Sequence, residues 1–312
     1  MTEAALTNAE RSKLTTRAAS ASIALAVTLI GLKAYAALRT SSMAMLGSLA
    51  DSTLDLVASL IVLLAVRIAA APADHEHRFG HGKAEALASL VQVIIITMSA
   101  IFIGVRAVQR LLAGAETGNA KLGIGVSIVA IALTIALISY QRYVVTKTAS
   151  LAIGTDRLHY SSDLLLNGSV IVALGLDQYL HLVGADAVFG VLIALWLLWG
   201  AWSASSNALH QLMDREWPDE LRQRFLAAAK EYPELAGIHD LRTRSSGTHN
   251  FAQFHVWVPG EWTVQQAHDR LDAVEESLQA RFPGTEILIH VDPEGQTDRE
   301  TLLSQEITER AH

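Results

Sequence analysis

The sequence predicts a membrane all-α bundle of six transmembrane helices followed by a small α+β domain, two unlike units in one chain of 312 residues. Three observations carry this prediction. Apolar runs of about 20 residues or more, the length a helix needs to cross a bilayer, recur six times before Asp214. Charged residues make up only 18% of the chain and gather between those runs and in the last third. Beyond Asp214 the texture changes to short segments that alternate polar and apolar residues.

The six runs fall at residues 18–38, 42–71, 84–112, 122–145, 151–176 and 185–208. The stretch before the first is polar, with Glu10, Arg11 and Lys13. No small-residue cleavage site follows a short apolar core, so the first run reads as a retained span. Six spans put both termini on one side. That side carries Arg11, Lys13, Arg17, Arg78, Lys83, Arg142, Lys147 and Arg157, against Arg39, Arg110 and Lys121 on the other. The positive-inside rule then places both termini in the cytoplasm, and the expected location of this multi-pass chain is the cell's inner (plasma) membrane.

The spans differ in polarity. The second and fifth hold Ser48, Asp51, Ser52 and Asp55, and His159, Ser161, Ser162, Asp163 and Asn167, whereas the sixth is almost wholly apolar with Trp196, Trp199 and Trp202. Spans two and five are therefore expected to face the protein interior, with Gly, Ala and Ser permitting close helix approach. Gln92 in span three and Lys33 and Tyr35 in span one read as solvated or snorkelling side chains, with interior polar contacts as the alternative.

In the last third, Pro218 and Asp219 open an amphipathic helix that runs to Lys230. Residues 238–244 and 251–258 alternate like two strands joined by a turn at Ser245, Ser246 and Gly247; 263–282 reads as a second helix and 286–291 as a third strand. The order α-β-β-α-β predicts a three-stranded sheet with its helices on one face. The domains so defined are a segment over 1–17, a membrane domain over 18–210, an α+β domain over 211–295 and a polar tail over 296–312.

Composition narrows the chemistry. Cysteine is absent, which excludes disulfides, thiolate metal sites and cysteine nucleophiles and leaves His, Asp and Glu as strong ligands. The net charge of −7 comes largely from the last third, and no single-sign block suggests nucleic acid.

Asp51 and Asp55, and again His159 and Asp163, lie four positions apart inside apolar runs. On a helix that spacing gives one face and a rise of about 6 Å, so two facing helices can gather three carboxylates and an imidazole around one cation. A central aspartate costs roughly 2.5–3.5 kcal/mol to insert, so such residues mark a pathway unless a nearby lysine or arginine neutralises them or Asp51 lies close to a membrane surface. Nitrogen and oxygen ligation by four groups suits Zn²⁺, and Fe²⁺, Cd²⁺ and Co²⁺ nearly as well. A second cluster, Asp74, His75, Glu76, His77 and His81, occupies the loop before span three, with Asp74, His77 and His81 its strongest members. A solvated histidine-rich loop with no bound ion is the alternative there. In the last third, His239 and His255 fall at strand positions and His290 and Asp292 lie two apart, projecting from one face of the third strand; with His268 they can form a two-metal cluster or remain surface residues. His210 and His249 read as ordinary surface histidines.

The segments Asp51-Ser-Thr-Leu-Asp55, His77-Arg-Phe-Gly-His81-Gly-Lys83-Ala-Glu85, His159-Tyr-Ser-Ser-Asp163, His239-Asp-Leu-Arg-Thr-Arg244 and His290-Val-Asp292-Pro resemble the cation diffusion facilitator family, in the pattern of its bacterial ferrous-iron/zinc efflux pumps. The resemblance covers nearly all of the chain up to Gly295. It implies a homodimer of six-helix protomers in the lipid bilayer, with cytoplasmic ferredoxin-like, metallochaperone-like tails that dimerise and bind metal. It implies no enzyme but an antiporter exchanging a divalent cation (Zn²⁺ first, or Fe²⁺, Cd²⁺, Co²⁺, Mn²⁺) for protons, the same ions also serving structural or regulatory sites. Asp51, Asp55, His159 and Asp163 then correspond to the transport site, and Asp74, His77 and His81 to a loop site. His239, His255, His290 and Asp292, with His268 bridging, correspond to a binuclear site at the dimer interface. Lys83 and Asp214 match positions that form salt bridges holding the protomers together. The tail after Gly295 and the His75-Glu76 pair depart from the pattern.

Two other classes fit the residues less well. A membrane metalloenzyme needs an open coordination position and a general base, and no His-Glu-x-x-His segment is present. A metal-gated channel or membrane metal sensor accommodates the ligands, but a dehydrated four-ligand site holds ions too firmly for rapid conduction.

Overall fold

The computed structural model describes residues 7–40, 43–113, 124–180, 185–247 and 249–295. The first six residues and the polar tail over 296–312 lie outside it. Contacts divide the chain into two compact units, Ala9–Ala71 with Lys83–Leu209, and Met1–Asn8 with Pro72–Gly82 and His210–His312. The loop before the third helix thus belongs with the last third of the chain.

The first unit is built from helices α1 (Asn8–Thr40), α2 (Met43–Ala69), α3 (Ala84–Ala113), α4 (Ile124–Thr148), α5 (Leu151–Leu180) and α6 (Ala185–Leu212). Among the described residues, five of them contain stretches long and apolar enough to cross a membrane: Ala9–Tyr35, Ser52–Ala69, Ala84–Leu112, Ile128–Thr148 and Ala187–Leu212. The fifth helix is of comparable length but less apolar, because Asp156, Arg157, His159, Asp163 and Asn167 interrupt it. Asp156, His159 and Ser162 turn inward and are buried, whereas Asn167 is exposed. Met98, Phe102, Leu195, Trp199 and Trp202 lie exposed on α3 and α6, as expected for side chains that meet lipid. Small residues allow close packing. A Cβ placed on Gly200 would stand 2.8 Å from Leu158 of α5, and one on Gly190 2.9 Å from Ala107 of α3.

The second unit contains α7 (Asp219–Ala229), a short 3₁₀ turn (Pro233–Leu235), β1 (His239–Ser246), β2 (His249–Val258), α8 (Val264–Arg281) and β3 (Thr285–Pro293). The sheet order is β1-β2-β3, with β1 and β2 antiparallel and β2 and β3 parallel. A two-stranded hairpin needs only a tight turn, whereas the parallel pair needs a crossover, and α8 supplies it. Both strands of the hairpin reach closer to the turn than alternation alone indicates, since Ser245 pairs with Asn250 and Ser246 with His249. Thr263 and Gln266 form a reciprocal capping box that starts α8.

Alternation along β2 decides what each face does. Ala252, Phe254, Val256 and Val258 are buried against Phe225 of α7 and Leu271, Val274 and Leu278 of α8, forming one core. His255 necessarily points to the opposite face. Register then aligns His239 with His255 and His255 with His290, one histidine per strand in a single row across the sheet. At one end of β1, a bulge at His239–Arg242 accommodates Asp240 at a φ of 48°. At the other end the loop over 72–82 rests on the hairpin turn: a Cβ on Gly82 would lie 2.2 Å from the Ser246 carbonyl oxygen, and Gly247 adopts a φ of 60°. Phe79 meets Phe251 edge-on at 5.7 Å, and the Arg244 guanidinium lies 4.4 Å and 4.2 Å from the two ring centres.

Candidate metal centres

Helices α2 and α5 bring Asp55, His159 and Asp163 together, with one ligand atom from each within 4.8 Å of the others. The His159 Nε2 atom lies 2.9 Å from Asp55 Oδ1. The imidazole is 7% exposed, and Tyr160 packs beside it edge-on. Tyr160 is itself fixed by Ser59 of α2 at 2.9 Å and by the Ser22 carbonyl of α1 at 3.1 Å. Asp51 lies one turn before Asp55 on α2, and its side chain falls outside the described residues.

Two readings of isolated polar residues need correction. Gln92 is buried, not solvated, and its Nε2 donates to Asp156 Oδ1 at 3.2 Å. Lys33 donates to the buried Ser52 of α2 at 2.7 Å, so it reaches inward to the helix that carries the acidic pair. Tyr35 is exposed. The sequence reading passed over Asp156 altogether. Its neighbour Arg157 and its place near the start of a run suggest a membrane-surface acid, yet it is completely buried among polar side chains from three other helices. The signal was that Ser22, Gln92 and Gln141 each stand as polar residues inside apolar runs.

The loop gathers Asp74, His77 and His81 within the same 4.8 Å limit. Asp74 Oδ1 is 3.4 Å from His77 Nδ1, and Oδ2 is 3.3 Å from His81 Nε2. The carboxylate also accepts the backbone N–H groups of His77 at 2.6 Å and Glu76 at 2.9 Å, a turn that fixes its direction. The His77 N–H foremost holds the Asp74 carboxyl below its ordinary range, against the opposing cost of desolvation. His75 and Glu76 are exposed and do not join the group.

The sheet gathers His239, His255 and Asp292. His255 Nδ1 is 2.9 Å and His239 Nε2 3.2 Å from Asp292 Oδ2, while His290 Nε2 approaches the other oxygen, Oδ1, at 3.5 Å. His239 shows what this cluster is suited to hold. Its Nδ1 lies 2.8 Å from the Gly237 carbonyl, an acceptor, so the proton belongs on Nδ1. Its Nε2 is buried without a hydrogen bond although Asp292 Oδ2 lies 3.2 Å away, because with the proton on Nδ1 both atoms are acceptors. A lone pair turned toward a carboxylate is the donor arrangement that a cation between them satisfies, with the Gly237 carbonyl orienting the ring from behind.

His268 does not join that cluster within one protomer. It sits on α8, on the side of the sheet opposite the histidine row, in a groove with Asp272, Glu275, Ile289 and Val291. Burial foremost, then Asp272 and Glu286, raise the Glu275 carboxyl above its ordinary range. Lys83 belongs to the helical unit, and Asp214 lies 3.6 Å from Arg244 within the other.

Known proteins share the sequence pattern of both units. Residues 19–213 match the family profile described as cation efflux transmembrane domain, and residues 217–294 that of cation efflux protein, cytoplasmic domain. The cation-efflux pump FieF of Salmonella newport (strain SL254) is 42% identical over 289 residues, covering 92% of this chain and 96% of its own. Among solved structures, CzrB in its Zn form is 38% identical over 28% of this chain and 99% of its own, with a TM-score of 0.26. The metal-bound C-terminal domain of the CzcD transporter from Thermotoga maritima is 26% identical over 26% of this chain and 99% of its own, with a TM-score of 0.24. With two profiles spanning most of its length and a relative this similar along nearly all of it, the chain belongs to the cation efflux family, whose members are membrane transporters of cations and not enzymes.

Proposed function

We propose that this transporter is a homodimeric antiporter of the inner membrane that exports a divalent transition-metal cation in exchange for protons, with Zn²⁺ the leading cargo and Fe²⁺, Cd²⁺, Co²⁺ and Mn²⁺ the others. The observation that carries the proposal is the convergence of Asp55, His159 and Asp163 from two helices inside the apolar unit. With Asp51 one turn away on α2, these residues supply three carboxylates and one imidazole, whose charge offsets the cost of stripping water from a dication.

Exchange follows from competition at His159. A neutral imidazole nitrogen binds metal, and a protonated one cannot, so cation binding releases a proton and proton binding releases the cation. Net transport requires the site to face each side in turn, and a rocking of the helices that carry the ligands supplies this in many carriers. The distribution of Lys and Arg supports cytoplasmic termini.

Asp74, His77 and His81 would take a cation at the loop. On the sheet, the two oxygens of Asp292 serve different histidines, an arrangement suited to two ions that share one carboxylate. His268, held away from that cluster in its own protomer, would reach it from a second copy, which favours tails that dimerise through metal. Lys83 and Asp214 are proposed to add salt bridges near the membrane surface.

Purified protein in liposomes tests the proposal. Zinc flux that accelerates with an imposed pH gradient, together with counterflow of protons, is the expected result. Flux that ignores the gradient would instead mark a metal-gated channel.

A further inference from the structure

Asp156 is a buried acid that the exchange at His159 leaves unused. It lies three residues before His159 on α5 and is 0% exposed. Its Oδ2 accepts from Ser22 of α1 at 2.6 Å and from Gln141 of α4 at 2.7 Å, and its Oδ1 accepts from Gln92 of α3 at 3.2 Å. Gln141 Nε2 also stands 3.0 Å from the Ser22 hydroxyl. No lysine or arginine is among these partners. A carboxylate inside an apolar helix bundle is costly unless it is paired or carries a proton, and here the groups that hydrogen-bond it are all neutral.

The amide oxygens complete the picture. Gln92 Oε1 and Gln141 Oε1 are both buried and have no hydrogen-bond donor. The cluster is therefore short of donors. One added proton remedies this: placed on Asp156 Oδ1, it can be donated to Gln92 Oε1 once that amide turns over, so that a buried acceptor gains a partner as the acid loses its charge. Gln92 can thus pair with either form, donating to the ionised acid and accepting from the neutral one, while the Gln141 oxygen gains no donor in either.

Charge balance gives this site a task. When a dication leaves and His159 takes one proton, the buried region becomes one unit more negative than before. A second proton taken up one helical turn away restores the balance and removes a buried, uncompensated charge. From α1, α3 and α4 the groups facing Asp156 are the neutral Ser22, Gln92 and Gln141, and the titratable groups that act on it are His159 and Tyr160 of its own helix. Asp55 of α2 is bonded to His159, not to Asp156. We propose that Asp156 is the second proton-carrying group of the exchange cycle, holding a proton when the metal site is empty and releasing it when the cation binds. This inference rests on the antiport reading.

The test measures zinc and proton movement together in proteoliposomes containing the full-length protein. Wild type is expected to move about two protons per zinc ion. Asp156→Asn, which fixes the neutral state, should still transport zinc but with roughly one proton fewer per ion, and Asp156→Glu should recover the wild-type ratio. An unchanged ratio in Asp156→Asn would overturn the inference while leaving antiport standing. Zinc flux without any proton movement in wild type would overturn antiport itself. Should Asp156→Asn not fold, the wild-type ratio still decides: about one proton per zinc is fully accounted for by His159 and refutes a second carrier.

Discussion

Asp163 contributes a ligand from α5, and its removal takes the third partner from the His159–Asp55 pair. Asp163→Ala is expected to abolish zinc flux in liposomes while leaving a folded dimer by size exclusion, and full flux in the variant would dismiss the site. Asp74 allows a prediction with pH. Its folded-state pKa lies below the unfolded one, so the stabilisation it provides is present above the ordinary aspartate range and disappears as pH falls through the lowered value. Glu275 is opposite in sign. Its carboxyl is raised, the folded state therefore binds the proton more tightly, and the ionised form at neutral pH works against folding. Glu275→Gln should accordingly raise the thermal midpoint of the detergent-solubilised protein at neutral pH, with the gain vanishing below the ordinary glutamate range; a lower midpoint at neutral pH would contradict the assignment. At this scale the four-residue spacing made Asp55, His159 and Asp163 legible in the sequence, because helix periodicity alone puts such pairs on one face. Asp156 was illegible for a physical reason. Its burial depends on Ser22, Gln92 and Gln141, which lie 134, 64 and 15 positions away and meet it only when four helices have packed.

The elements of the last third were easier to read, since each writes its own signal. The Thr263–Gln266 capping box, the hairpin turn at Gly247 and the alternation of β2 are local features. Sheet register is less local, yet it aligned His239, His255 and His290 in one row and confined His268 to the other side. Sequence shows only that a histidine lies on a helix; the side of the sheet that helix covers is a property of the crossover. Phe225 ties α7 to this sheet, contacting Trp217, Phe254 and Phe282 through their rings while fully buried. Phe225→Ala should destabilise the sheet unit by about 3–5 kcal/mol, measured as a shift in denaturant midpoint followed by tryptophan fluorescence. A change below about 1 kcal/mol would mean that α7 is not part of the cooperative core.

At the level of the whole molecule, two different strategies hold polar ligands in place. The helical unit keeps its acids and imidazole in a low-dielectric interior, where only a cation or a proton compensates them. The sheet unit lays its ligands along strands and orients them with backbone groups, as Gly237 does for His239. Chelation should therefore act unevenly: stripping metal with a strong chelator is expected to lower the thermal midpoint of the sheet unit, and His255→Ala should make the protein indifferent to the chelator. A chelator effect that persists in His255→Ala would move the resident ion elsewhere.

The contact of Gly82 with the hairpin leaves no room for even a methyl group, since a Cβ there would stand 2.2 Å from the Ser246 oxygen. His81 is the very next residue back along the chain. A Gly82→Ala change would thus behave as a wedge, prising the loop from the strand ends and splaying Asp74, His77 and His81. A single carbon, itself no ligand, would then be felt as poorer retention of a cation by the three side chains beside it.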